Sequence, residues 1–135
     1  MPKKPPTAGT APQPFLRVVL QRHECDCAVA ALAMYLSVRY EDVLLAFDKP
    51  VIDVGAIVKD MVAVADRLKQ PLRVRRKFDL ESDSGILRVD LLNDTKAHVV
   101  VLHDGIVFNT DGAVWDVDDY LTAENAKPMQ LLTRK

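Results

Sequence analysis

Gln21-Arg22-His23-Glu24-Cys25-Asp26-Cys27-Ala28-Val29-Ala30-Ala31-Leu32-Ala33-Met34-Tyr35-Leu36 is a polar segment that runs directly into nine apolar residues. A run that is apolar on every face must be enclosed by the rest of its domain, because a surface helix would keep one polar stripe. Asp26 is a suitable N-cap, so the sequence predicts a buried helix with Cys27 on its first turn and the amide of Gln21 a short distance upstream. That helix is the expected centre of the fold.

Outward from it, the chain reads as helices followed by strands. Tyr40 to Phe47 predicts a second, shorter helix that Lys49-Pro50 ends. Asp53 is placed to cap a third, from about Val54 to Lys69, in which Ile57, Met61, Val64 or Ala65, and Leu68 recur at helical spacing. From Pro71 the period shifts to alternation, with Leu72, Val74, Arg76 and Phe78 on one side and Arg73, Arg75 and Lys77 on the other. Ile86 to Leu92 fits either helix or strand. His98 to Leu102 and Ile106 to Asn109 flank an Asp104-Gly105 hairpin turn, and Met129 to Thr133 adds a last strand. With a two-residue turn, Val100 falls opposite Asn109 and His98 opposite Asp111, so these four side chains share one face. Upstream, residues 1–14 are rich in Pro, Lys, Thr, Ala and Gly and are expected to form a disordered or extended arm. The domain is expected to span 15–135 and to open with a short strand or extended lead-in over Phe15 to Leu20. No internal repeat is present.

Composition narrows the class of protein. With 135 residues, 49% of them hydrophobic, the chain is sized for one globular domain with its own core. A formal net charge of -1 gives no reason to expect a nucleic-acid partner. Neither a long apolar span nor a signal-peptide core occurs, so the expected setting is cytoplasmic, with no membrane segment. Cys25 and Cys27 are too close in sequence to staple distant segments, and reduced thiols available for chemistry are expected.

Helices that carry a cysteine, followed by a sheet that carries a histidine, resemble the papain-like order, in which the nucleophile helix packs against a C-terminal antiparallel sheet. Within that α+β class, residues 21–36 resemble the bacteriocin-processing, double-glycine leader peptidases. Gln21 lies six residues before Cys27, Asp26 precedes the thiol, and Leu32-Ala33-Met34 matches the helix of that family. His98-Val99-Val100-Val101-Leu102 is similar to its histidine strand. Two positions depart from the pattern. Ala28 replaces a glycine, and Asn109-Thr110-Asp111 stands where an Asp-Pro pair is common.

The resemblance implies a cysteine peptidase or related thiol hydrolase that cleaves a peptide or amide bond through an acyl-enzyme on Cys27, without cofactor or metal. Its partner is then a peptide or protein substrate. A helix N-terminus and a nearby imidazolium both lower a thiol pKa, so Cys27 with His98 can supply a thiolate near neutral pH. His98 would later protonate the leaving group, and Asn109, or Asp111 in its place, would orient the ring. Gln21 and the backbone N–H of Cys27 would bind the oxyanion. Asp26 must turn its charge away from the thiolate, toward the helix amides.

Two alternatives belong to other classes. One is an inactive domain of the same fold that binds peptides. The other is a zinc-binding domain using His23, Cys25 and Cys27 with His98 or His103, although no Cys-x-x-Cys knuckle is present. The cluster Arg73, Arg75, Arg76 and Lys77 reads as a solvated strand face, with acidic-ligand binding as the lesser option. Trp115 is expected to cover one end of the core, and a helix to start near Asp118-Asp119-Tyr120.

Overall fold

The computed structural model describes residues 17–94 and 96–135. The expected arm at 1–14, and the boundary at Phe15, lie outside the described residues. Among these, five helices and six strands follow one another: α1 (Cys27–Leu36), α2 (Tyr40–Ala46), α3 (Val51–Val54), α4 (Val58–Arg67), β1 (Leu72–Arg75), β2 (Gly85–Leu91), β3 (Lys96–His103), β4 (Ile106–Phe108), β5 (Val114–Asp116), α5 (Val117–Ala123) and β6 (Ala126–Arg134). The class is mixed α+β, with four helices first, then one antiparallel sheet whose last two strands are joined through α5.

The sheet runs β1-β6-β2-β3-β4-β5, so the last strand lies between the first two. Alternation along β3 divides the apolar residues between two cores. Val99 and Val101 join Ile86, Phe108 and Leu132 under the helices, while Val100 and Leu102 join Leu87, Leu131, Trp115 and Tyr120 on the other side. α1 packs on β3 and β2, and all of its residues except Cys27 and Tyr35 are buried. Burial against these strands adds to the strong helix propensity of its alanines, leucines and methionine. A Ser37 in the left-handed conformation then ends it.

The hairpin follows the predicted count. Asp104 and Gly105 both have positive φ, 47° and 79°, the pair of values that a two-residue type I′ turn requires. Val101 therefore pairs with Phe108, Leu102 with Val107 and His103 with Ile106. Extending that register places Val100 opposite Asn109.

Several expectations change. The helix expected from about Val54 to Lys69 begins only at Val58, as α4, and Gly55, with φ 74°, separates it from the short α3. Asp53 lies inside α3 and caps nothing; Asp60 instead accepts the amide of Ile57 at 3.0 Å and the ammonium of Lys49 at 2.8 Å, fixing the start of α4. Residues 17–20 form no strand. β1 ends at Arg75, short of the predicted alternation to Phe78, and at this sheet edge Arg73, Arg76 and Lys77 are exposed while Arg75 pairs with Asp83 at 3.5 Å. Trp115 lies on the edge strand of the sheet, in the second core. It is buried on β5 against Tyr120, edge to face at 6.0 Å between ring centres. α5 begins one residue before the expected acids, with the Asp116 carboxylate accepting from the amide of Asp118.

Candidate active site

Cys27 stands on the first turn of α1, half-buried where the polar loop enters the core. His98 lies near the start of β3, and its side chain lines the same cavity as Cys27, close enough for the imidazole to shift the thiol's pKa. The other end of the ring is held. Nε2–H donates to Oδ1 of Asn109 at 2.9 Å, leaving Nδ1 as the ring nitrogen for the thiol. The amide of Thr110 donates to the same Oδ1 at 2.8 Å, which prevents the Asn109 side chain from turning its NH₂ toward the ring. Residues far apart in sequence thus form one line: thiol, imidazole and amide.

Electrostatics move both groups in the direction of a charged pair. Burial pushes the Cys27 thiol up, but the hydrogen bond and charge of His98, with the amides of Val99 and Ala28, outweigh it and hold the pKa below the ordinary thiol value. Burial likewise pushes His98 down, and the sulfur of Cys27, the carbonyl of Asn109 and the charge of Asp111 together raise it above the usual imidazole range. Asp111 acts here through its charge. Its Oδ1 accepts the amide of Ala113 at 2.9 Å, and Asn109 is the residue hydrogen-bonded to the ring.

Gln21 is part of the same network but faces a different set of partners than the sequence implied. Its Nε2 donates to the carbonyls of His23 at 2.7 Å and Glu24 at 3.3 Å. The hydroxyl of buried Thr110 donates to its Oε1, and its backbone N–H donates to the carbonyl of Thr110 at 2.8 Å. Sequence reasoning gave Thr110 no role. Its position beside Asn109 in place of a proline was the available signal, since a proline could donate neither of the two hydrogen bonds that Thr110 donates here.

Asp26 also departs from expectation. Its carboxylate makes no bond to the helix amides. It turns back to accept from the amides of Arg22 at 2.9 Å and His23 at 3.0 Å and from the hydroxyl of Tyr40. Burial pushes its pKa up, and these three donors outweigh burial and keep the carboxylate below the usual range. The loop from Gln21 to Cys27 is consequently folded around a buried anion.

The zinc alternative finds no support in the geometry. Among the described residues, no group of three or more His, Cys, Asp or Glu side chains is placed to hold a metal ion. His103 is engaged with the hydroxyl of Ser84 at 3.0 Å and the carboxylate of Asp104 at 3.5 Å. Among the described residues, no helix is long and apolar enough to cross a membrane. No family model matches the chain, and no curated protein matches it.

Proposed function

We propose that the chain is a papain-like cysteine peptidase or related thiol hydrolase, with Cys27 as nucleophile, His98 as base and acid, and Asn109 as the residue that orients the ring. The observation that carries this is that Cys27 and His98 line one cavity while Asn109 holds the ring at Nε2. A thiolate of Cys27 would attack a peptide or amide carbonyl, and the imidazolium would give its proton to the departing amine. Water would then release the acid, with His98 accepting its proton. The first-turn amide of Cys27 has no acceptor within its helix and is available to the oxyanion. Gln21 can add a second donor by exchanging its longer bond, to the carbonyl of Glu24, for the oxyanion.

Accessibility alone predicts the opposite labelling order from this proposal, since Cys25 is exposed and Cys27 half-buried. The test is brief treatment with iodoacetamide at pH 6, followed by mass mapping. Modification of Cys27 ahead of Cys25 is the expected outcome, and Cys25 first would overturn the assignment. Turnover of peptides then separates an enzyme from a peptide-binding domain of the same fold.

Thr110 supplies a further prediction. Thr110→Val keeps the shape but removes the hydroxyl that holds Oε1 of Gln21. The expected result is a fall of about tenfold in kcat, in line with a partial loss of one oxyanion donor. The alkylation rate of Cys27 should stay unchanged, because the backbone bond from Thr110 to Asn109 survives the substitution. Thr110→Ser should restore turnover. A matching loss of alkylation in Thr110→Val would show damage to the Cys27–His98 pair instead.

A further inference from the structure

Cys25 is the exposed thiol that the proposed mechanism does not use, and it stands two residues from the nucleophile. Asp26 between them has φ -105° and ψ 23°, far from extended backbone. Residues that flank such a position have Cα atoms about 5.5 Å apart, close to the i to i+2 spacing of helical geometry, and disulfides form across Cα separations of about 4.4–6.8 Å. Both residues also meet at one turn. A Cβ on Gly55 would lie 3.9 Å from the Cβ of Cys25, and the next residue, Ala56, lines the cavity that Cys27 and His98 share. That cavity measures about 110 Å³, room for more than one molecule of water size at about 30 Å³ each, so hydrogen peroxide can reach the sulfur. His98 holds the Cys27 thiol below its ordinary pKa, and thiolate character combined with access is what makes a cysteine oxidisable.

We infer that Cys25 is a resolving thiol, which captures oxidised Cys27 as a reversible Cys25–Cys27 disulfide and so switches the enzyme off under peroxide. The inference rests on the thiol-hydrolase proposal, since His98 must activate the sulfur. The Cys27 thiolate attacks one oxygen of hydrogen peroxide. An S–O bond forms, the O–O bond breaks, and the departing hydroxide takes the imidazolium proton of His98 and leaves as water. The sulfur is oxidised to a sulfenic acid and the peroxide is reduced. The Cys25 thiol then gives up its proton and attacks that sulfur. The S–S bond forms, the S–O bond breaks, and the hydroxide leaves with the proton as a second water. Without a partner the sulfenic acid takes up further oxygen and becomes sulfinic and then sulfonic acid, which small thiols do not reverse. A bridge across a single residue closes a small, strained ring with one exposed member, the kind that small thiols reduce readily, so the block is temporary. While it lasts, Cys27 has no thiolate with which to attack a carbonyl.

The test is treatment of the full chain with hydrogen peroxide at neutral pH, then with iodoacetamide, and mass mapping of the tryptic peptide from His23 to Arg39, which holds both cysteines. In the wild type that peptide is expected to lose two hydrogens and to resist alkylation, and dithiothreitol should return both thiols. Cys25→Ser should keep the wild-type alkylation of Cys27 before oxidation. After peroxide it should lose the dithiothreitol-reversible product altogether and accumulate sulfinic and sulfonic acid at Cys27. Sulfinic and sulfonic acid that build up in the wild type as fast as in Cys25→Ser, or a bridge between two chains as the main product, overturn the resolving role and leave the hydrolase proposal standing. Cys27 left as a free thiol while Cys25 is oxidised overturns both.

Discussion

Replacing His98 by alanine is expected to slow the alkylation of Cys27 at pH 6 by about one to two orders of magnitude. An ordinary thiol of pKa about 8.5 is only about 0.3% ionised at that pH, and the thiolate is the species that reacts. In the intact protein His98 holds the thiol below this value against the opposing effect of burial. Without the imidazole, burial acts alone and drives the pKa up. The alkylation profile of the wild type should therefore extend to lower pH, declining as pH falls through the lowered pKa of Cys27. In His98→Ala it should decline from near or above the ordinary thiol value. Turnover has a second limb. It needs the protonated ring, so it should fall again as pH rises through the pKa of His98, which is raised above the usual imidazole range. Loss of the acid and base should reduce turnover by about 10²–10⁴-fold. Asn109→Asp should keep much of the activity because it retains an acceptor for Nε2–H, whereas Asn109→Ala should not. Equal alkylation profiles in the wild type and His98→Ala would show that the imidazole does not activate the sulfur.

Which parts of this site the sequence reveals depends on whether the constraint is local. The α1 helix is legible because nine consecutive apolar residues leave it no surface to occupy. The contact between His98 and Asn109 is legible because Asp104-Gly105 fixes the turn type, the turn fixes the register, and the register fixes which side chains share a face. Gln21 lies in the loop ahead of Cys27, but the direction of its amide has no local signature, since the carbonyls of His23 and Glu24 compete for the same N–H groups. That competition depends on the backbone path through residues 22–26. The break at Gly55 has a sequence signal, since the apolar period starts only at Ile57 and a glycine just ahead of it is a weak point for a helix. Its consequence is functional, because the break provides two walls of the cavity beside Cys27. The place of β6 between β1 and β2 has no local signature at all; it follows from which strands bury their faces together.

Asp26→Ala is expected to be among the most destabilising single substitutions in the described chain, costing about 3 kcal/mol or more. The carboxylate is fully buried, and its removal leaves the amides of Arg22 and His23 and the hydroxyl of Tyr40 without their acceptor. Hydrogen bonds to a charged group contribute roughly 1.5–3 kcal/mol each, and donors left unpaired add a further penalty, tempered here because water can reach part of this loop. For a domain of this length such a loss lowers Tm by about 10 °C. Asp26→Asn should fall between, because its amide oxygen can still accept but its NH₂ meets donors. The pH dependence distinguishes the charge from the shape. The folded carboxylate has its pKa below the ordinary value, so it stabilises fully above the unfolded pKa of about 3.9 and loses that contribution as pH falls through the folded pKa. Tyr40 works in the other direction. Burial and the neighbouring Asp26 raise its pKa, so its contribution is complete below the unfolded value of about 10 and is lost at higher pH. The stability gap between the wild type and Asp26→Asn, followed by thermal melts, should accordingly stay level from about pH 5 to 9 and narrow below about pH 4. A gap that stays constant down to pH 2 would mean that the position needs only the shape of the side chain. A gap that closes on acidification would show that the charge of Asp26 holds the loop on which Gln21 and Cys27 are set.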